Sequence, residues 1–180
     1  MPTSSEAKST MKLTSQITSY DPGWADQYLK EARRLRMVFD PDLLEMHHVG
    51  STSVIGLAAK PEIDILIVVA SNDHLSTWTD GLAGLGYQRG GDLSEGHHFF
   101  KRNHNGVRTH KLHVIVSGHP MINRLLIIRD HLRRNAQDRQ AYQALKLQLE
   151  QENKKGIAEY LLGKEPFLNT LYDRLCNRTG

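Results

Sequence analysis

Residues 47–70 read HHVGSTSVIGLAAKPEIDILIVVA and contain a turn, an acid pair and a strongly apolar run. A turn of small and hydroxyl residues, 50–53, precedes a β-branched, nearly continuous apolar run, which predicts a strand in the centre of a sheet. Glu62 and Asp64 stand two residues apart at the start of that strand, so both carboxylates lie on one face. The stretch therefore joins a turn suited to an anion with an acid pair suited to a divalent cation.

Length and composition are those of an ordinary globular chain. With 180 residues, 39% hydrophobic and 24% charged, we expect a single domain over residues 16–180, preceded by a disordered tail over residues 1–15. The net charge of +3 fits an anionic small molecule and does not require nucleic acid. A single cysteine excludes an internal disulfide, and there is no signal core or membrane-length apolar run. These features predict a cytoplasmic location and no membrane partner.

The remaining patterns predict an α+β fold, with a small mixed β-sheet packed by helices and a helical C-terminal half. A helix is expected from Trp24 to about Phe39, then a strand over LLEMHHVG and a short helix over VIGLAA. HLSTWTDGLAGLG predicts a helix, and GHHFFKRN and THKLHVIVSG predict strands. Three helices follow from residue 121 onward. Gly163 and Pro166 mark a candidate interruption in the last of them.

The turn is a candidate phosphate site. Gly50 permits close backbone approach, and Ser51, Thr52 and Ser53 supply N–H donors and hydroxyls where a helix is expected to start. The alternative is an ordinary helix cap. Lys60 is a further candidate for phosphate oxygens, with a solvated lysine as the alternative.

The acid pair is a candidate metal site. Two neighbouring carboxylates suit Mg²⁺ or Mn²⁺, and a carboxylate inside EIDILIVVA is costly to bury unless it is paired or metal-bound, which favours Asp64 over Glu62. His113 shares a strand face with Lys111 and is expected on the side of the acid pair. A hydrogen-bonded polar histidine is the alternative. No zinc-type histidine or cysteine spacing is present.

Two arginines in the helical half are candidates for binding an anion. Arg129 and Arg133 lie on one face of IRDHLRRN, where they either grip a phosphate or pair with carboxylates and solvent.

Gly50-Ser51, followed after ten residues by Glu62-Ile63-Asp64-Ile65, resembles the signature of the nucleotidyltransferase superfamily with a DNA polymerase β-like fold. More narrowly, the chain resembles the GrpB family. The matching blocks are YDPGW, HHVGSTSVIGLAAKPEIDILI, RTHKLHVIV, IRDHLRRN, YQALK and EYLLGKEPF. Ile55 stands where family members usually have proline. The strand that carries a third carboxylate in the superfamily enzymes offers His113 instead, as GrpB members generally do.

The resemblance implies a metal-dependent nucleotidyltransferase that moves a nucleotidyl group from a nucleoside triphosphate to a small-molecule acceptor. We expect Glu62, Asp64 and His113 as catalytic and metal-binding residues, with Mg²⁺ or Mn²⁺ as cofactor and with His113 as a third metal ligand or as a general base. The expected phosphate-binding residues are Gly50, Ser51, Thr52, Ser53, Lys60, Arg108 and Arg129. The alternative is a non-catalytic nucleotide- or phosphate-binding module on the same fold. RNA binding is disfavoured because no aromatic-rich strand or dense basic run is present.

Overall fold

The computed structural model describes residue 13 and residues 15–177. The helices are α1 (Gly23–Phe39), α2 (Leu75–Gly84), α3 (Pro120–Arg134), α4 (Ala136–Glu152) and α5 (Ile157–Cys176). The strands are β1 (Leu43–Val49), β2 (Ile63–Val69), β3 (Gln88–Arg89), β4 (His97–His104) and β5 (Val107–Val116). The predicted α+β class is confirmed. The tail predicted over residues 1–15 lies outside the described residues, apart from positions 13 and 15.

The five strands form one mixed sheet in the order β1-β2-β5-β4-β3. Strands β2 and β5 run parallel, and the other neighbours are antiparallel. The parallel pairing sets Asp64 opposite Lys111 and Leu66 opposite His113. It therefore joins the acid pair to a strand that begins more than 40 residues later in the chain.

Strand β2 is buried on both faces, which explains its unbroken apolar character. Ile63, Ile65, Ile67 and Val69 belong to the core that also contains residues of α1 and α2. Leu66 and Val68 point the other way and pack with residues of α3. By alternation Asp64 shares the second face, so it lies beneath the helical half.

The segment after the glycine turn differs from the prediction. Only Ser51–Ser53 forms a turn of 3₁₀ helix, and no helix covers VIGLAA. Val54 and Leu57 are instead buried in a second core with Leu132, Tyr142 and Leu171. The apolar residues in this segment therefore anchor the turn to the helical half from an irregular backbone.

Helix α5 runs unbroken through Gly163 and Pro166, so the predicted interruption is wrong. A Cβ at Gly163 would lie 2.4 Å from Leu149 Cδ2. The glycine thus lets α5 pack closely against α4. Within the described residues, no helix combines the length and the apolar character that crossing a bilayer requires.

Candidate functional site

The glycine turn lies directly against the carboxylate of Asp64. Gly50 has φ 71° and ψ −174°, a conformation that is essentially restricted to glycine. A Cβ at this position would lie 2.1 Å from Asp64 Oδ2, far inside van der Waals contact. Gly50 therefore satisfies both the backbone conformation and the close approach of turn and carboxylate.

The hydroxyls of the turn are not equivalent. Thr52 is buried, and its hydroxyl donates to the carbonyl oxygen of Glu62 at 3.0 Å and lies 3.0 Å from His48 Nε2. Ser53 is also buried and donates to the carbonyl oxygen of Gly50. Ser51 alone of the three lines the larger of the two cavities described below. The side chains of Thr52 and Ser53 thus hold the turn in shape.

Two basic residues of β5 pair with the acid pair. Lys111 Nζ lies 3.0 Å from Asp64 Oδ1 and 3.1 Å from Glu62 Oε1. Arg108 Nε donates to Glu62 Oε2 at 2.9 Å. Burial favours the neutral amine of Lys111, but the charges of Asp64 and Glu62 outweigh it and raise its pKa above the ordinary lysine value. The two carboxylates therefore converge on a single cation.

A cavity of about 250 Å³ opens between the sheet and the helical half. Gly50, Ser51, Asp64, Lys111 and His113 form its floor. Helix α3 supplies an apolar wall of Met121, Leu125 and Ile128 together with Arg124 and Arg129, and α5 adds Lys164 and Leu168. The cavity has one charged end and one apolar wall, as a site for a nucleotide-sized anion requires.

A second, smaller cavity of about 50 Å³ continues from the charged end. It shares Ser51, Asp64, Lys111 and Lys164 with the first. Its other charged residues are Lys60, Glu62, Arg108 and Lys146. Five cationic side chains thus surround two carboxylates in this smaller cavity, so the charged end of the cleft carries an excess of positive charge.

Three lysines of this cleft are held in low-polarity surroundings. Burial, followed by the charge of Lys164, lowers the pKa of Lys146 to about 7. Burial and the charge of Lys111 lower the pKa of Lys164 to about 8. Burial also lowers the pKa of Lys60, whose ammonium lies 4.4 Å above the ring of Tyr160. A bound anion would stabilise the charged form of all three.

The arginines of α3 contact the backbone on both sides of the glycine turn. Arg129 Nη1 donates to the carbonyl oxygen of His48 at 3.1 Å, and Arg133 Nε donates to that of Ser53 at 2.9 Å. Arg129 also pairs with Asp130 and lines the larger cavity. Both arginines therefore position the turn, and Arg129 additionally borders the space where a ligand would lie.

His113 is tied to a second histidine. Its Nδ1 lies 2.9 Å from Nε2 of His97, which is 2% exposed. Burial and the charge of Lys111 lower the pKa of His113 to about 3, and burial lowers that of His97 to about 4. Both rings are therefore neutral at pH 7. The described residues contain no group of three or more His, Cys, Asp or Glu side chains that is arranged to hold a metal ion.

The sequence did not identify all of the residues that form this site. Lys111 was placed on the face of His113 but was not assigned to the acid pair, because the parallel pairing of β2 and β5 was unknown. Three further residues of the site lie on helices: Tyr142, Lys146 and Lys164. A lysine on a helix is usually solvated, so nothing local marks the two lysines as site residues. The only signal for them was their position inside the YQALK and EYLLGKEPF blocks.

Comparison with known proteins identifies the family and the fold. The chain is 36% identical over 156 residues to the UPF0157 protein YqkA of Bacillus subtilis. The aligned region covers 86% of this chain and 45% of that protein. The chain thus spans less than half the length of this relative. The crystal structure of GrpB from Enterococcus faecalis superposes with a TM-score of 0.84 at 30% identity, covering 91% of this chain and 99% of that one.

A structure of Cid1 in complex with the UTP analogue UMPNPP gives a TM-score of 0.51 at 13% identity, over 82% of this chain and 48% of that chain. At this identity the likeness concerns the fold alone, which is that of the polymerase β-like nucleotidyltransferases. The family model for GrpB protein matches residues 14–174, and with the relatives above it shows that this chain belongs to the GrpB family.

Proposed function

We propose that this protein is a metal-dependent nucleotidyltransferase that moves a nucleotidyl group from a nucleoside triphosphate to a small-molecule acceptor. The observation that carries the proposal is the meeting of the Gly50-Ser51 turn, the Asp64 carboxylate and five cationic side chains in one cleft. An oxygen of the acceptor would attack the α-phosphorus. The bond to the β-phosphate oxygen would break, and pyrophosphate would leave.

Glu62 and Asp64 are the proposed ligands of Mg²⁺ or Mn²⁺. Their oxygens already converge on one cation, the ammonium of Lys111, so the donor set fits a divalent ion. Mg²⁺ keeps several waters and binds substrate phosphates, so two protein carboxylates are sufficient. When bound, the ion would neutralise negative charge on the phosphates.

The protein's own groups would bind and orient the triphosphate. Turn backbone at Gly50 and Ser51 borders the charged end of the cleft, where Lys60, Arg108, Lys146 and Lys164 supply positive charge. Such fixed charges stabilise a transferring phosphoryl group without reorganisation. The apolar wall of α3 gives the larger cavity a surface suited to the nucleobase of the nucleotide.

His113 is assigned a hydrogen-bonding role toward the acceptor. A general base works best with a pKa near the working pH, so a pKa of about 3 makes His113 a weak base. Its contact with His97 engages Nδ1. The ring therefore meets the cavity as a neutral imidazole of fixed orientation.

A second hypothesis is a nucleotide- or phosphate-binding module without transferase activity. The ion pairs of Lys111 with Glu62 and Asp64 favour it, because they neutralise the carboxylates without a metal. In this hypothesis the cleft acts as an anion site alone.

Substitution of Asp64 by Asn tests the proposal because it removes the charge and keeps the shape. We expect the affinity for Mg²⁺-UTP or Mg²⁺-ATP, measured by calorimetry, to fall about tenfold or more, which corresponds to about 1.4 kcal/mol. Asp80→Asn is the matched control, since Asp80 is exposed on α2. Equal affinities of Asp64→Asn and wild type, with equal dependence on Mg²⁺, would show that Asp64 holds no metal.

Labelled triphosphates with a metabolite pool separate transferase from binding module. The transferase hypothesis predicts release of pyrophosphate and a labelled product, reduced about a hundredfold or more in Asp64→Asn. Tight binding with no product at any acceptor concentration favours the module.

A further inference from the structure

One ammonium group occupies the place between the two proposed metal ligands. Lys111 Nζ contacts Asp64 Oδ1 at 3.0 Å and Glu62 Oε1 at 3.1 Å. The parallel register sets Lys111 beside Asp64, so the sheet itself brings the amine to the carboxylates. The fold therefore holds the backbone of Lys111 within reach of both carboxylates.

A divalent ion held between Glu62 and Asp64 would need the place that this ammonium occupies. Mg²⁺ binds carboxylate oxygen at about 2.0–2.1 Å and accepts little distortion, so the ammonium cannot remain between the two carboxylates beside it. Two cations in one place would also repel each other strongly at low local polarity. Occupation of the site by metal and by Lys111 is thus mutually exclusive.

The contact is one that exchange can break. Asp64 Oδ1 is buried, and its contact with Lys111 Nζ at 3.0 Å joins two opposite charges. Lys111 lines both cavities of the cleft, and a lysine has a flexible four-carbon stem. Glu62 keeps Arg108 as a partner if Lys111 leaves.

We propose that Lys111 is an internal counter-ion that competes with the divalent cation for Glu62 and Asp64, so that metal enters the site efficiently only together with an anionic phosphate. The phosphate gives the displaced ammonium a new partner inside the cleft. This inference rests on the proposed function and adds a coupling: nucleotide and metal each increase the affinity for the other.

The first test measures binding of Mn²⁺ alone, without nucleotide, by calorimetry or by the electron paramagnetic resonance of free Mn²⁺. We expect Lys111→Met to bind Mn²⁺ about tenfold or more tightly than wild type, because two ion pairs no longer compete. Lys101→Met is the matched control. It removes the same charge from the position paired with Lys111 on β4 and should change the affinity far less. Lys111→Arg, which keeps the charge, should bind Mn²⁺ as weakly as wild type.

The second test uses the wild-type protein and does not depend on the folding of a variant. Acetylation of each lysine by an amine-reactive ester is followed by mass spectrometry, with and without saturating Mn²⁺. Lys111 should react slowly without metal and several times faster with it, while the rate at Lys101 stays constant.

The outcomes of these two tests can be distinguished from the outcomes that test the proposed function. Equal Mn²⁺ affinity in wild type and Lys111→Met, or a labelling rate at Lys111 that saturating Mn²⁺ leaves unchanged, overturns the inference whatever the nucleotide results. Failure of nucleotide to bind, with tighter Mn²⁺ binding by Lys111→Met, overturns the proposed function and leaves the competition in place.

Discussion

Replacement of Gly50 by Ala tests the joint construction of turn and carboxylate. The native φ of 71° and ψ of −174° lie in a region that costs a residue with a Cβ about 1–3 kcal/mol. In addition, the new Cβ would lie 2.1 Å from Asp64 Oδ2, so the carboxylate or the turn has to shift. We therefore expect two effects: lower stability, and an Asp64 carboxylate displaced from Lys111 and the cleft.

Gly56→Ala is the matched control because it separates these effects. Gly56 also has a positive φ, 81°, but its Cβ would meet only Arg139 Nε at 3.9 Å. In urea unfolding Gly56→Ala should lose about 1–3 kcal/mol, and Gly50→Ala should lose at least as much because its new Cβ also meets the Asp64 carboxylate. At about 2–4 °C for each kcal/mol in a chain of this size, the loss is also visible in thermal melts.

Binding distinguishes the two variants. Gly50→Ala should lose about tenfold or more in affinity for Mg²⁺-nucleotide by calorimetry, whereas Gly56→Ala should bind as wild type does. If Gly50→Ala binds normally despite its loss of stability, the contact between turn and carboxylate is structural only. If both variants lose binding equally, the effect reflects general backbone strain.

Two further predictions concern charge. Because the pKa values of Lys146 and Lys164 are lowered to about 7 and about 8, a bound anion should raise both and cause proton uptake near pH 8. Calorimetry of pyrophosphate binding in two buffers of different ionisation enthalpy measures this proton uptake. The number of protons taken up should be smaller in Lys146→Met than in wild type. Binding to wild type without proton uptake would contradict the prediction. Glu31 is 4% exposed and pairs with Arg102, so Glu31→Gln should cost about 3–5 kcal/mol in urea unfolding at pH 7. Burial opposes the charge of Glu31, but hydrogen bonds from Arg102 and Tyr87 lower its pKa overall. The difference in the free energy of unfolding between Glu31→Gln and wild type should therefore narrow as pH falls through that pKa. A difference that stays constant with pH would refute this prediction.

Local patterns were sufficient for the parts of the site that lie close together in the chain. Alternation placed Glu62, which immediately precedes β2, and Asp64 on one face, and the glycine turn was recognised from four residues. Both features depend on sterics and periodicity within one segment. The GrpB family was predicted from this stretch together with the other matching blocks, and the family model and the GrpB crystal structure confirm it. The predicted polymerase β-like fold is confirmed by the likeness to Cid1.

Long-range features were not accessible from one sequence. The neighbour of Asp64 across the sheet is Lys111, 47 positions later, and nothing local to either strand specifies a parallel register. Lys146 is 1% exposed although lysines on helices are usually solvated. Its burial results from the packing of α4 against α5 and against the segment after the glycine turn, where Lys146 donates to the carbonyl oxygen of Ala58, and no helical periodicity reveals this packing.

Side-chain roles within a correctly predicted motif also depended on tertiary contacts. Ser51, Thr52 and Ser53 are equivalent hydroxyl residues in the sequence, but the backbone aims Thr52 and Ser53 into the protein. VIGLAA was predicted to be a short helix that follows the glycine turn. Burial of Val54 and Leu57 against α3, α4 and α5 satisfies the same residues without a helix.

In our proposal, the difference between enzyme and binding module lies in which cation occupies the place between Glu62 and Asp64. With Lys111 between Glu62 and Asp64, the acid pair is neutralised and the cleft offers an anion only positive charge. If a divalent ion takes that place, the freed ammonium joins the other four cations around the phosphates. The same residues then assemble a phosphoryl-transfer site in which metal and ammonium act on one substrate. The two functions therefore correspond to two occupancies of one position, and the Mn²⁺ affinity of wild type relative to Lys111→Met measures how far apart in free energy they lie.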